Sequence, residues 1–161
     1  MTIVVEEHVS VRTRAEELGC RLPNGLAMLP ENFSSAAAGD DLHFRSEAAT
    51  VRKLLSEGGL DADRLMADRD RTMFVHNGSY DWAVPAIFIG SEVLKANPDV
   101  ASVIVDLVRD HVKELFGGLK SDRRVSLEVV IENSRGLCRK VKYEGDAEGL
   151  KDVNRIVRGL R

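Results

Sequence analysis

The stretch VSLEVVIENSRGLCRKVKY, residues 125–143, predicts two strands joined by a turn. Its first half alternates between the apolar residues Val125, Leu127, Val129 and Ile131 and the polar residues Ser126, Glu128 and Glu132. A period of two is typical of a strand with one buried face. Residues 133–136, Asn-Ser-Arg-Gly, favour a turn, and Val141 and Tyr143 mark the returning strand.

A helix is predicted directly after this hairpin. Gly145 and Asp146 mark its start, and its apolar residues recur at three- and four-residue steps, namely Leu150, Val153, Ile156, Val157 and Leu160. The chain is therefore expected to end in a strand–strand–helix (ββα) unit.

The longest helix is predicted at about 98–116. Asn97 is a favourable N-cap, Pro98 suits the first helical position, and Gly117-Gly118 ends the pattern. Its apolar residues cover a wide face, which predicts either the central helix of the core or a helix partly buried against another subunit.

These elements predict an α+β fold in which a small, mainly antiparallel sheet packs on helices. The chain of 161 residues suits one domain spanning 1–161, with a subdomain joint at 117–122. Alternation from Ile3 to Val11 predicts a half-buried opening strand, with His8 on its solvated polar face.

Composition indicates a globular protein of the cytoplasm. Apolar residues make up 43% of the chain and the net charge is −3, which excludes a disordered chain. Acidic residues follow the first three apolar positions, and no apolar run is long enough to span a bilayer, so we expect neither a secretion signal nor a membrane association. The two cysteines, Cys20 and Cys138, are interpreted as free thiols.

Local motifs for cofactor or metal chemistry are missing from the sequence. It contains neither a phosphate-binding glycine loop nor a nucleophile-elbow pattern. Asp40, Asp41 and His43 lie close together, but a metal site needs further ligands, so we expect no metal and no cofactor.

One polar segment is a candidate ligand-binding loop. Residues 73–82 read as a hairpin around Asn-Gly or as a loop that leads into a helix. In the functional interpretation the ligand contacts are His76, Asn77, Tyr80, Asp81 and Trp82, with His76 as a general base and Trp82 as a stacking surface. In the structural interpretation, which we favour, Asn77-Gly78 is present for the geometry of the hairpin turn, and the side chains of Tyr80 and Trp82 pack inward.

Charge is distributed unevenly along the chain. Residues 1–116 hold 12 Lys/Arg and 19 Asp/Glu, whereas residues 117–161 hold 11 and 7. The favoured explanation is intramolecular pairing, and the alternative is a basic docking face for an acidic partner formed by Arg123, Arg124, Arg139, Lys140 and Lys142. Few aromatic residues accompany these charges and the pI is about 5.8, which argues against nucleic-acid binding.

The segments Leu127–Glu132 and Val141–Leu150 together resemble small strand–strand–helix modules that occur as appendages or partners in bacterial conflict and defence systems. This resemblance covers the last quarter of the chain, about residues 125–158. It implies an adaptor or effector-associated role in antiviral defence and carries over no catalytic residue.

The leading hypothesis for function is therefore a non-enzymatic adaptor of the bacterial cytoplasm that binds a protein partner or self-associates as a homo-oligomer. The alternative is a small enzyme or ligand sensor with its site at the 76–82 turn. The sequence favours the first of these.

Overall fold

Five α-helices are interspersed among nine strands in the described part of the chain. The computed structural model describes residues 2–66, 72–73, 82–116 and 124–160. In chain order its elements are β1 (Thr2–His8), α1 (Val11–Glu17), β2 (Leu26–Met28), β3 (Phe44–Arg45), α2 (Ala48–Glu57), β4 (Ala62–Asp63), β5 (Thr72–Met73), β6 (Trp82–Ala83), β7 (Ile87–Ile89), α3 (Ser91–Ala96), α4 (Val100–Leu115), β8 (Val125–Glu132), β9 (Cys138–Gly145) and α5 (Lys151–Leu160). The α+β class and the C-terminal ββα unit are confirmed.

The main sheet has the strand order β1-β9-β8-β7-β2-β4, and β6 pairs with the first two residues of β8. Its two longest ladders, β1 with β9 and β9 with β8, are antiparallel, while β7 and β8 run parallel. A separate two-stranded sheet joins β3 and β5. The predicted long strands therefore form one half of the sheet, and short strands from residues 26–89 extend it on the other side of β8.

The turn between β8 and β9 forms as its residues predict. Asn133 Oδ1 accepts hydrogen bonds from the main-chain N–H groups of Arg135, at 2.8 Å, and Leu137, at 3.0 Å. Gly136 has a φ of +81°, which only glycine adopts without strain. These bonds fix the register of the hairpin.

Helices α2, α4 and α5 cover one face of the sheet. The buried residues of this layer include Val51, Ile104 and Val153 on the helices and Leu127 and Val141 on the strands. The predicted long helix is thus confirmed, although it begins at Val100, since Asn97 forms a turn in which its Oδ1 accepts from the Asp99 N–H at 3.3 Å. The apolar face of α4 is buried within the subunit, which removes the reason to expect a partner there.

The opposite face of the sheet carries a second core, and the prediction that β8 buries only one face is wrong. Phe88 and Val130 are completely buried here against Val11 and Ala15 of α1 and against Leu29. Residues 29–42 complete this cover with the buried side chains of Phe33, Ala36 and Leu42. Because β7 and β2 lie beside β8, the strand is internal to the sheet and is buried on both faces.

The opening strand is shorter and more exposed than its alternation predicts. β1 ends at His8, and Ser10 caps α1 by accepting a hydrogen bond from the Thr13 N–H at 3.3 Å. Val11, predicted in the strand, is therefore the first residue of a helix. Val4 and Val5 of β1 are exposed on opposite sides of the sheet.

Several smaller expectations have clear outcomes. Cys20 and Cys138 are both free thiols. In the described part of the chain, no helix has the length and hydrophobicity that crossing a bilayer requires. The predicted joint at 117–122 lies outside the described residues.

Tyr143 links β9 to the start of the terminal helix and provides a first prediction. Its buried hydroxyl donates to the Asp146 main-chain carbonyl at 2.5 Å, and Asp146 Oδ1 accepts from the Gly149 N–H at 2.9 Å. The substitution Tyr143→Phe keeps the ring but leaves that carbonyl without its donor, so we expect a loss of about 1 kcal/mol in the free energy of unfolding, measured by urea denaturation.

The same site has a pH signature. Burial, together with the nearby Asp146 carboxylate, raises the pKa of Tyr143 well above its ordinary value of 10.0. The folded chain therefore holds this proton more tightly than the unfolded chain, and stability should fall as the pH rises above that value. In a Tyr80→Phe variant the remaining tyrosine, Tyr143, should ionise only as the protein unfolds. Ionisation of Tyr143 in the folded protein near its ordinary pKa of 10.0 would contradict this account.

Candidate functional site

Of the predicted ligand contacts in the 76–82 loop, Trp82 lies within the described residues. His76, Asn77, Tyr80 and Asp81 lie outside the described residues, as does the Asn-Gly turn. On its two sides, β5 pairs with β3 and β6 pairs with β8. Trp82, in β6, is buried, and its ring lies 5.3 Å from that of His111 on α4, at an angle of 51°. Trp82 thus packs into the helix-side core, as in the structural interpretation of this loop.

The predicted basic docking face is divided by strand geometry. Lys140 and Lys142 lie on one face of β9, whereas Arg139 lies between them in sequence and projects from the other face. Arg124 precedes β8, where its main-chain carbonyl accepts from the Trp82 N–H at 3.2 Å. Arg123 lies outside the described residues.

Two basic residues of the C-terminal part of the chain form ion pairs with acidic residues of the N-terminal part. Lys140 Nζ lies 2.8 Å from Glu6 Oε1, and Arg158 Nη2 lies 2.6 Å from Asp99 Oδ1. Both pairs join the basic C-terminal part to the acidic N-terminal part. Intramolecular pairing, the favoured explanation of the charge split, is therefore present.

A cavity of about 250 Å³, here called the polar cavity, opens on the sheet face opposite α4. Its walls are residues 29–35 and 83–86 and the adjoining surface of β8, β9 and β1. Eight polar side chains line it, namely His8, Glu31, Ser34, Ser35, Arg45, Ser126, Glu128 and Lys140. They come from five separate segments of the chain, and alternation along the strands brings those of β8, β9 and β1 to one face.

The charges of the polar cavity balance. Arg45 Nε lies 2.5 Å from Glu31 Oε2, and both side chains are largely buried. Lys140 is held by Glu6, which sits just outside the cavity lining. An ammonium has three donors and a guanidinium five, so one carboxylate partner does not exhaust either cation.

Glu128 is the acidic group of the cavity with the longest ion pair. Its Oε1 lies 3.9 Å from Lys142 Nζ, which is closer to Glu144, at 3.2 Å. A distance of 3.9 Å exceeds that of a hydrogen bond. Glu128 therefore has acceptor capacity for a donor inside the cavity.

His8 contributes a neutral imidazole. Burial lowers its pKa below the ordinary value of 6.5, against the opposing effect of the Val9 carbonyl. The Nδ1 of the ring lies 2.7 Å from that carbonyl and donates to it, which leaves Nε2 as an acceptor. The sequence predicts His8 on the solvated polar face of the first strand, whereas the structure places it, half-buried, in the wall of the polar cavity.

A second cluster of charged residues is structural. Glu132 is only 3% exposed, and its carboxylate accepts from Arg12 Nε at 2.8 Å, from Arg12 Nη2 at 3.2 Å and from the Ser91 N–H at 3.1 Å. Arg12 also donates to the carbonyls of Pro23 and Asn24. These bonds tie α1, the 23–24 loop, the start of α3 and the end of β8 together.

Metal binding finds no support in the described residues, where no three His, Cys, Asp or Glu side chains are grouped to hold an ion. Asp40, Asp41 and His43, which lie close together in sequence, form no such group with one another or with other described residues.

Sequence reasoning missed the polar cavity. Glu31, Arg45 and Glu128 form no motif, and each would be read as an ordinary surface charge. The signal that the sequence does offer is the Lys140/Lys142 pair, which predicts a basic face because Glu6, the partner of Lys140, and Glu128, one partner of Lys142, are distant in sequence.

In comparisons with known proteins, no family model matches the chain, and neither a curated protein nor a solved structure is significantly similar to it.

Proposed function

We propose that the protein binds a small zwitterionic metabolite, of the size and charge of an amino acid, in the polar cavity. The observation that carries this proposal is the composition of the cavity wall, where Arg45 and Lys140 stand beside Glu31 and Glu128 around a neutral His8. Ligand sites are concave surfaces with convergent polar groups, and the wall of this cavity is more polar than that of a typical ligand site, which favours a polar ligand.

The size of the cavity supports a small ligand. Pockets for drug-sized molecules measure about 300–1,000 Å³, and the polar cavity, at about 250 Å³, lies just below that range. Its wall is rich in charged and hydroxyl groups, which selects against an apolar ligand because the polar groups would lose water without gaining partners.

The balance of charges supports a zwitterion. A ligand carboxylate is suited to the donors that remain on Lys140 and Arg45, and a ligand ammonium is suited to Glu128, whose own ion pair is 3.9 Å long. A ligand with one net charge would satisfy one set of groups and leave the other desolvated, which costs free energy.

The proposal concerns binding and involves no reaction. It keeps the ligand-sensing alternative from the sequence but moves its site from the 76–82 turn to the face formed by β8, β9 and β1. An adaptor role in bacterial cytoplasmic defence stays a prediction, and a ligand-binding domain is compatible with it.

The test is calorimetric titration with each of the standard L-amino acids and with acetate and methylamine as single-charge probes. We expect at least one amino acid to bind and both single-charge probes to bind far more weakly. Lys140→Met should weaken binding about tenfold to a hundredfold, the value of one charge-assisted hydrogen bond.

Arg139→Met is the matched control, because it removes the same charge from the next residue of β9 but on the other face of the sheet. It should leave the affinity unchanged, and both variants should keep the wild-type melting temperature. If no amino acid binds, or if the two variants weaken binding equally, the polar cavity is not the proposed site.

A further inference from the structure

We infer that β1 pairs with β1 of a second copy of this chain, so that the two main sheets become one continuous sheet across a twofold axis. Within the described residues β1 is an edge strand: it pairs with β9 over its full length, from Thr2 opposite Glu144 to His8 opposite Cys138, and its other edge meets no described strand.

The first half of β1, Thr2–Val5, carries none of the features that usually protect an edge strand against pairing. Those features are charged side chains, especially lysine, together with proline and bulges. The charged residues of β1, Glu6 and Glu7, lie at its other end, the strand contains neither lysine nor proline, and its continuous register with β9 shows no bulge.

Apolar exposure on both sides of β1 also favours pairing with another strand. Val4 is 44% exposed and Val5 is 40% exposed. Successive residues of a strand face opposite sides, so β1 presents apolar surface on both faces of the sheet. A single covering helix would bury one of these valines, whereas a neighbouring strand contacts both.

The charges of β1 select an antiparallel copy. Glu6 and Glu7 are adjacent at one end of the strand, so a parallel, in-register pair would place each glutamate beside its counterpart. An antiparallel pair centred on Val4 instead sets Val4 opposite Val4, Ile3 opposite Val5, and Glu6 opposite Thr2. Such cross-strand apolar pairs stabilise a sheet, whereas like charges directly opposite one another destabilise it.

The symmetry of this arrangement is that of a closed dimer. A twofold axis through Val4 uses the same strand on both subunits, so no free edge of β1 remains for a third copy. The paired strands also protect each other from pairing with other chains.

The test is the mass in solution of the whole chain, measured by sedimentation equilibrium from micromolar to millimolar concentration. Wild type should be a dimer in reversible equilibrium with the monomer. Val4→Lys should be monomeric throughout, because it places charge at the centre of the interface. Its circular dichroism and melting temperature should be those of the wild-type monomer, since this side chain lies outside both cores.

Val9→Lys is the matched control. Val9 is also exposed but lies beyond β1, so this variant should dimerise like wild type. A wild-type protein that is monomeric over the whole concentration range, or a Val4→Lys variant that still dimerises, would overturn the inference.

The register has its own test, made in a Cys20→Ser/Cys138→Ala background. Directly opposed residues of an antiparallel pair have Cα atoms about 4.5–5.5 Å apart, within the range for a disulfide. Val4→Cys should therefore form an intermolecular disulfide on mild oxidation, and Val9→Cys should not. Equal cross-linking of the two variants would contradict pairing centred on Val4.

Discussion

Replacing Phe88 by alanine is expected to lower the free energy of unfolding by about 3–5 kcal/mol, the range for a fully buried aromatic residue. Phe88 is completely buried in the second core, and the guanidinium of Arg12 lies 5.9 Å from the centre of its ring. Its removal leaves a cavity between the sheet and α1. Since small proteins are stabilised by about 5–15 kcal/mol in total, this variant should lose a large part of its free energy of unfolding.

The measurement is urea denaturation followed by the fluorescence of Trp82, the single tryptophan of the chain. Leu137→Ala is the control, since Leu137 is an exposed apolar residue and its removal should change stability by less than about 0.5 kcal/mol. If Phe88→Ala were as mild as the control, the face opposite α4 would not contain a packed core.

The second large effect is expected for Arg12→Met, which should lower the free energy of unfolding by about 3 kcal/mol. The substitution leaves the buried Glu132 carboxylate with hydrogen bonds from Ser91 but without a cationic partner, and it also removes the donors to the Pro23 and Asn24 carbonyls. Much of this cost comes from the unpaired buried charge. The double variant Arg12→Met/Glu132→Gln should therefore recover part of the lost stability.

Arg139→Met serves as the control here too, because Arg139 is exposed and should contribute little. If the double variant were less stable than Arg12→Met by the full cost of a second independent substitution, the two side chains would not act as a pair.

The same pair should determine part of the acid sensitivity of the fold. Burial acts to raise the pKa of the Glu132 carboxyl, but the hydrogen bonds from Arg12 and the Ser91 N–H outweigh it and leave the pKa below its ordinary 4.5. This group therefore contributes stability above that pH and loses the contribution as the pH falls through its lower folded pKa. As the pH falls from 4.5 through the folded pKa of Glu132, the free energy of unfolding should decrease more for the wild type than for Glu132→Gln.

The sequence predicts the elements whose signals are local. The β8–β9 hairpin has a period of two over residues 125–132, interrupted only by Val130, and a turn at 133–136, and α4 and α5 have apolar residues at helical spacing. Strands of two or three residues, such as β2 and β7, are too short to show a period, so the part of the sheet that they build was not predicted. Without that part, the second buried face of β8 was not predictable either.

The polar cavity was beyond prediction for a related reason. Its residues come from distant segments, and each is an ordinary charged or polar residue in its own neighbourhood. Only the pairing of β1, β9 and β8 brings His8, Lys140 and Glu128 to one face. The charge split along the chain did indicate pairing between distant segments but not which residues pair.

The most direct test of the proposed ligand site is a ¹H–¹⁵N NMR titration of the whole chain with the amino acid that binds best in calorimetry. The account predicts saturable shift changes for the amides of Ser126, Glu128 and Lys140 and for the His8 ring, with none for Val153 and Val157 in the helix-side core. Shift changes centred on another surface, or none at a saturating amino-acid concentration, would contradict it.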